Sequence, residues 1–99
     1  MKPFPILVSE DAELDIAEAR DRYRAVGTEL EAAFRRAVDD SVKAIRTRPN
    51  SFPVVHKEMR RAILRKFPYF LLFTVFSDTV VVFGCIHMRR DPEDWKARG

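Results

Sequence analysis

The chain has 99 residues, enough for one domain with one hydrophobic core, and a domain of this size buries roughly 60–70% of its unfolded surface without metals or disulfides. A composition that is 46% hydrophobic and 33% charged fits a globular protein with a densely charged surface and excludes a low-complexity chain. The net charge of +3 conceals a division: residues 1–40 hold six Lys/Arg against ten Asp/Glu, whereas residues 41–99 hold twelve against five, so the second half suits an acidic partner, either nucleic acid or an acidic protein segment.

Residues 3–8 predict a short first strand, and Pro3 and Pro5 place it at a sheet edge or strand start. This apolar stretch is too short and too broken by proline for a signal peptide, and no run approaches the roughly 18 apolar residues of a membrane span. A cytoplasmic protein with no membrane contact is expected. Ser9 offers an N-cap, with Glu10 and Asp11 at the positive end of the helix dipole. Ala12, Ile16, Ala19, Tyr23 and Val26 recur at helical spacing as one apolar stripe, and Gly27 is placed to stop the helix. Thr28 opens a second helix, with Glu31 completing a capping-box pattern. Leu30, Phe34, Val38, Val42 and Ile45 form its stripe, while Ala33, Ala37 and Ala44 let neighbouring backbone approach. Two stripes on so short a joint pack as an antiparallel helical hairpin.

Residues 49–58, with Pro49, Asn50 and Pro53, read as a loop. Three strands follow at residues 60–67, 70–76 and 79–86, rich in Val, Ile and Phe. Pro68 punctuates the first pair and Ser77 with Asp78 the second, a tight hairpin. Asp91 and Pro92 start a short terminal turn. The expected fold is α+β in the order β-α-α-β-β-β: one domain over residues 1–99, with the helical hairpin packed on one face of a small, mainly antiparallel sheet.

Chemistry is sparse. The three glycines form no phosphate-cradling loop, and one cysteine with two distant histidines gives a metal site little support, so neither metal nor cofactor is expected. Cys85 reads as a buried apolar filler. It shares a strand face with His87, but at some 6–7 Å, from a rise of roughly 3.3 Å per residue, the pair is too far apart for a nucleophile and its base. His87 has two readings: a general acid or base for phosphodiester cleavage beside charge-stabilising arginines, or, the preferred one, a polar residue that ends a strand. Arg60, Arg61, Arg65 and Lys66 can grip phosphates or carboxylates, or merely protect a sheet edge. On a strand, Arg61 and Arg65 share one face, and Arg60 and Lys66 the other. Tyr69 and Trp95 read as packing residues rather than base-stacking platforms.

The order and spacing of these pieces resemble the RelE/ParE superfamily of toxins from bacterial type II toxin–antitoxin (plasmid stabilisation) systems. The resemblance runs through Asp15 to Ala19 with Tyr23, then Phe34 with Ile45, and Pro49 to Pro53. It continues from Arg60 through Lys66 to Phe67, Pro68 and Tyr69, and closes on His87, Met88, Arg89, Arg90, Asp91, Pro92 and Trp95. It implies a cognate antitoxin in a hetero-oligomer; independently of the resemblance, an acidic and partly disordered segment of that partner suits the cationic half of the chain. It also implies one of two activities: inhibition of DNA gyrase without a hydrolytic site, as in ParE-like members, or ribosome-dependent mRNA cleavage, as in RelE-like ones. The chain is closer to the ParE-like members, because no tyrosine lies near the C-terminus. The RelE-like alternative would use Arg65, His87 and Arg89, with Glu58 near the strand start. The partner surface expected from the resemblance and the charge is Arg60, Arg61, Arg65, Lys66, Arg89 and Arg90, with Trp95 beside them.

Overall fold

Residues 2–98 are described by a computed structural model; Met1 and Gly99, the two ends of the expected domain, lie outside the described residues. Strand β1 (Ile6–Val8) leads into helix α1 (Glu10–Val26) and helix α2 (Thr28–Thr47). Strands β2 (Val54–His56), β3 (Met59–Ile63), β4 (Tyr69–Phe76) and β5 (Thr79–His87) follow, then a short helix α3 (Glu93–Lys96). The five strands form one sheet in the order β1-β5-β4-β3-β2, with β1 parallel to β5 and every other pair antiparallel. The β-α-α-β-β-β order is as expected, with β2 added at an edge.

The helices begin and end for local reasons. Ser9 caps α1, its hydroxyl accepting the Ala12 N–H at 3.1 Å. Gly27 closes α1 by donating its N–H to the Tyr23 carbonyl, and it also precedes the first residue of α2. Its φ of 176° is extended, so glycine's conformational freedom is not what the joint uses. The expected capping box is absent, because Gly27 rather than Thr28 holds the cap position. Glu31 instead reaches across the hairpin and accepts from Arg24 at 2.6 Å and Arg20 at 3.2 Å, and the Arg24 guanidinium holds its carboxyl below the usual range.

Both faces of the sheet are apolar. Toward the helices, Leu71, Phe73, Val80 and Val82 pack on Ala12, Ala19, Phe34, Val38 and Ile45. Val26 ends the α1 stripe in solvent and Ala44 turns outward, two departures from the expected stripes. On the opposite face Met59, Phe70, Leu72, Phe83 and Ile86 form a second cluster, closed by Trp95 of α3 with its ring 5.8 Å from that of Phe70. Burial of an aromatic side chain of this size contributes about 3 kcal/mol. A second apolar layer, rather than a sheet of exposed arginines, therefore lies opposite the helical hairpin.

The expected strand over residues 60–67 stops at Ile63. Leu64 donates its N–H to the Tyr69 carbonyl at 2.8 Å, and Lys66 takes φ 69° to close the turn. Residues 54–56, read as loop, form β2 on the outer edge of β3, immediately after Pro53; the Pro53 carbonyl accepts the Arg61 N–H at 3.2 Å. The expected hairpin at Ser77 and Asp78 is present, with Ser77 at φ 56°.

Candidate functional site

The basic residues separate into three settings. Arg60 is occupied internally: its Nη1 donates to the Phe52 carbonyl at 2.6 Å and the Asn50 carbonyl at 3.3 Å, pinning the loop that precedes β2. Arg61 lies on the opposite face, its guanidinium 5.5 Å from the Phe70 ring centroid, a cation–π contact on the second apolar layer. Arg65 and Lys66 sit in the β3–β4 turn rather than on a strand, so the alternation expected of them does not operate. They line a depression shared with Arg36 and Asp40 of α2.

Arg89 and Arg90 follow β5, whose last residue, His87, pairs with Tyr69 at the start of β4. Met88 donates to the Pro68 carbonyl, so the β3–β4 turn and the end of β5 lie side by side. The fold thus brings Arg65, Lys66, Arg89 and Arg90 to one end of the sheet and leaves Arg60 and Arg61 further along β3. Among the described residues, none of Arg60, Arg61, Arg65, Lys66 or Arg89 has a carboxylate within 4.0 Å, while Arg90 keeps an exposed 3.5 Å contact with Asp94. Trp95 is only 6% exposed and packs inside the protein.

A recess of about 320 Å³ opens at the same end, between α1 and the sheet, lined by Asp15, Glu18, Arg22, Tyr69, Cys85, His87 and Arg90. Arg22 Nη1 donates to the Tyr69 hydroxyl at 2.8 Å, and the His87 ring meets Tyr69 edge-on at 5.0 Å. His87 Nδ1 accepts the Arg89 N–H at 3.1 Å, which leaves the proton of the neutral imidazole on Nε2 and makes the ring a donor toward a ligand. Asp15 is saturated: Arg98 Nη1 donates to its Oδ2 at 2.6 Å, and the Cys85 N–H donates to the same oxygen at 3.0 Å.

Burial, reinforced by the Asp15 carboxylate, pushes the Cys85 thiol up to about 12. Cys85 and His87 therefore share a face, as their alternation predicts, but the sulfur stays protonated and unreactive. Among the described residues no three His, Cys, Asp or Glu side chains converge to hold a metal ion. The chemistry this arrangement supports is capture of an anion by guanidinium, imidazole and phenol donors.

Sequence reasoning passed over Arg22, Asp15 and Glu18 as site residues. Their signal is the 15, 18, 22 spacing, a polar strip along one flank of the α1 apolar stripe.

No family model and no curated protein matches the sequence. Among solved structures, the chain is similar to one from the "Chromosomal ParDE TA system from P. aeruginosa", with a TM-score of 0.77 and 17% identity over 87% of this chain and 97% of the other. This chain has the RelE/ParE-like fold. At 17% identity the likeness is one of backbone architecture, not of individual side chains. The RelE/ParE-like architecture accounts physically for the aromatic positions that carried the resemblance. Tyr23 and Phe34 bring their rings to 5.2 Å across the helical hairpin, and Phe67 stands edge-on to both, at 5.0 and 5.2 Å. Tyr69 lies 5.5 Å from Phe34, so the segment around Pro68 anchors the sheet to the helices. No helix of the described residues is long and apolar enough to cross a membrane.

Proposed function

We propose that this chain is the toxin of a type II toxin–antitoxin pair, ParE-like in action: it binds DNA gyrase in the cytoplasm and is neutralised by a cognate antitoxin. The observation that carries this reading is the RelE/ParE-like fold, shared over nearly the whole length with a chain of a ParDE system. The basic end of the sheet supplies the complement to an acidic antitoxin segment, since Arg65, Lys66 and Arg89 have no internal carboxylate partner among the described residues. Gyrase binding is favoured over mRNA cleavage because the similar solved chain comes from a ParDE system and no tyrosine lies near the C-terminus to complete a nuclease set. Arg65 lines the depression against α2, and His87 lines the recess against α1 with its Nδ1 already occupied.

Induced expression is expected to arrest growth, and the purified chain is expected to inhibit gyrase supercoiling in vitro. Co-expression of a cognate acidic antitoxin is expected to restore growth. Full supercoiling at large molar excess of the chain, together with new cuts in translated message mapped by primer extension, would replace this reading with the ribosome-dependent endoribonuclease. Normal growth on expression would leave a binding module without toxicity.

A further inference from the structure

We propose that the recess between α1 and the end of the sheet is a carboxylate-binding site that takes one acidic side chain of an extended peptide. Arg22 and Arg90 hold the carboxylate, with the Tyr69 hydroxyl and the Nε2–H of His87 as further donors. The inference rests on the hetero-complex reading above for the owner of the peptide, an acidic partner segment; the recess itself is argued from its own geometry.

Three features prepare the site. Tyr69 is almost fully buried, yet its hydroxyl reaches the recess and accepts from Arg22 at 2.8 Å. That bond orients the Arg22 guanidinium in advance and leaves the phenolic proton free to donate outward. Arg22 has no carboxylate within 4.0 Å among the described residues, and the one partner of Arg90, Asp94, is an exposed contact at 3.5 Å that a ligand can replace. The Arg89 N–H on Nδ1 directs the remaining imidazole proton to the other nitrogen, so His87 presents a donor without needing to be charged.

The acidic members of the wall select the ligand. Asp15 is satisfied by Arg98 and by the Cys85 N–H, so it makes no demand on an incoming group. Glu18 is exposed, with no cation within 4.0 Å among the described residues, and its carboxylate accepts from water until a ligand donor replaces that water. Glu18 repels any anion, and a phosphodiester, which brings only acceptors at its phosphate, does nothing there to offset that repulsion. A peptide brings backbone N–H groups beside its carboxylate, and so answers both the four donors and Glu18. Further acidic residues of the same peptide then face Arg89 at the open side.

The test is a saturating NMR titration of the whole chain with the acetylated, amidated tetrapeptide Asp-Leu-Glu-Leu. Expected are single-site shifts at Arg22, Tyr69, His87 and Arg90. Arg22→Gln and Arg90→Gln, both surface changes compatible with folding, should each weaken binding roughly tenfold. Arg35→Gln, exposed on α2, should change it less than twofold, and the peptide Asn-Leu-Gln-Leu should not saturate. Unsaturated shifts spread over every basic residue, unchanged affinity in both arginine variants, equal binding of the amide peptide, or tighter binding of the dinucleotide UpU would each overturn the assignment. Growth arrest by the unaltered chain is scored separately. Arrest without peptide binding removes the recess alone, and peptide binding without arrest removes the toxin reading alone.

Discussion

Replacing Arg98 by Met tests the most heavily engaged ion pair in the molecule. The Arg98 and Asp15 side chains are 17% and 11% exposed, and the guanidinium spans the Asp15 carboxylate and the Phe83 carbonyl, at 2.6 and 3.2 Å. Beyond Val82 strand β1 no longer borders β5, so these two side chains meet the backbone groups of Phe83 and Cys85 on that edge. Arg98→Met leaves the carboxylate with the Cys85 N–H alone. Removing one partner of a fully buried pair costs about 3–5 kcal/mol, and partial exposure reduces this to about 2–3 kcal/mol. For a domain of this length that is a large part of a total stability of about 5–15 kcal/mol, and it corresponds to a fall in Tm of roughly 10–20 °C. Urea unfolding followed by far-UV circular dichroism and by the fluorescence of Trp95, the one tryptophan, measures it. The double variant Asp15→Asn/Arg98→Met should be less destabilised than the sum of the singles by at least about 1 kcal/mol, because no uncompensated charge remains. A loss below about 0.5 kcal/mol, or strict additivity, would reduce the pair to an ordinary surface contact and refute the reasoning.

Further outcomes follow from other positions. The Cys85 thiol titrates near 9.0 when unfolded and near about 12 when folded, so its contribution is complete below 9.0 and is lost as pH rises from there toward 12. The slope reaches about 1.4 kcal/mol per pH unit, and alkaline unfolding of Cys85→Ala should lack that component. Trp95→Ala uncovers Phe70 and Ile86; it should lose about 3 kcal/mol and bind a hydrophobic dye more strongly than the unaltered chain does. Gly27→Ala should be neutral or stabilising by about 0.5 kcal/mol in thermal unfolding, since an added Cβ meets nothing within 4 Å and φ is 176°. A loss above about 1 kcal/mol would mean that the interhelical joint needs glycine after all.

The parts legible in the sequence are those that local chemistry decides. Ser9 and the spacing of Ala12, Ile16, Ala19 and Tyr23 specify α1 before any tertiary contact is considered, and Ser77 with Asp78 places the β4–β5 turn to the residue. Where a signal was ambiguous at short range, distant partners decided. Thr28 and Glu31 have the composition of a capping box, yet two arginines of α1 claim the Glu31 carboxylate. The prolines around residues 49–53 mask a three-residue strand that exists only because β3 offers an edge. Of the expected partner surface, Arg65, Lys66, Arg89 and Arg90 do share one end, but no periodicity reveals that Arg60 turns inward to hold a loop or that Arg61 rests on Phe70. Arg22 escaped notice because its role depends on Tyr69, 47 positions away.

The pairing of β1 with β5 has a kinetic consequence. Ile6, Leu7 and Val8 find their ladder partners only at Val80, Val81 and Val82, so the earliest strand waits while most of the chain is synthesised. Contacts this distant in sequence raise contact order and slow folding. Until Val80, Val81 and Val82 are synthesised, the sheet that covers the apolar side of the two helices cannot be completed, and apolar surface meant for it has no partner within the chain.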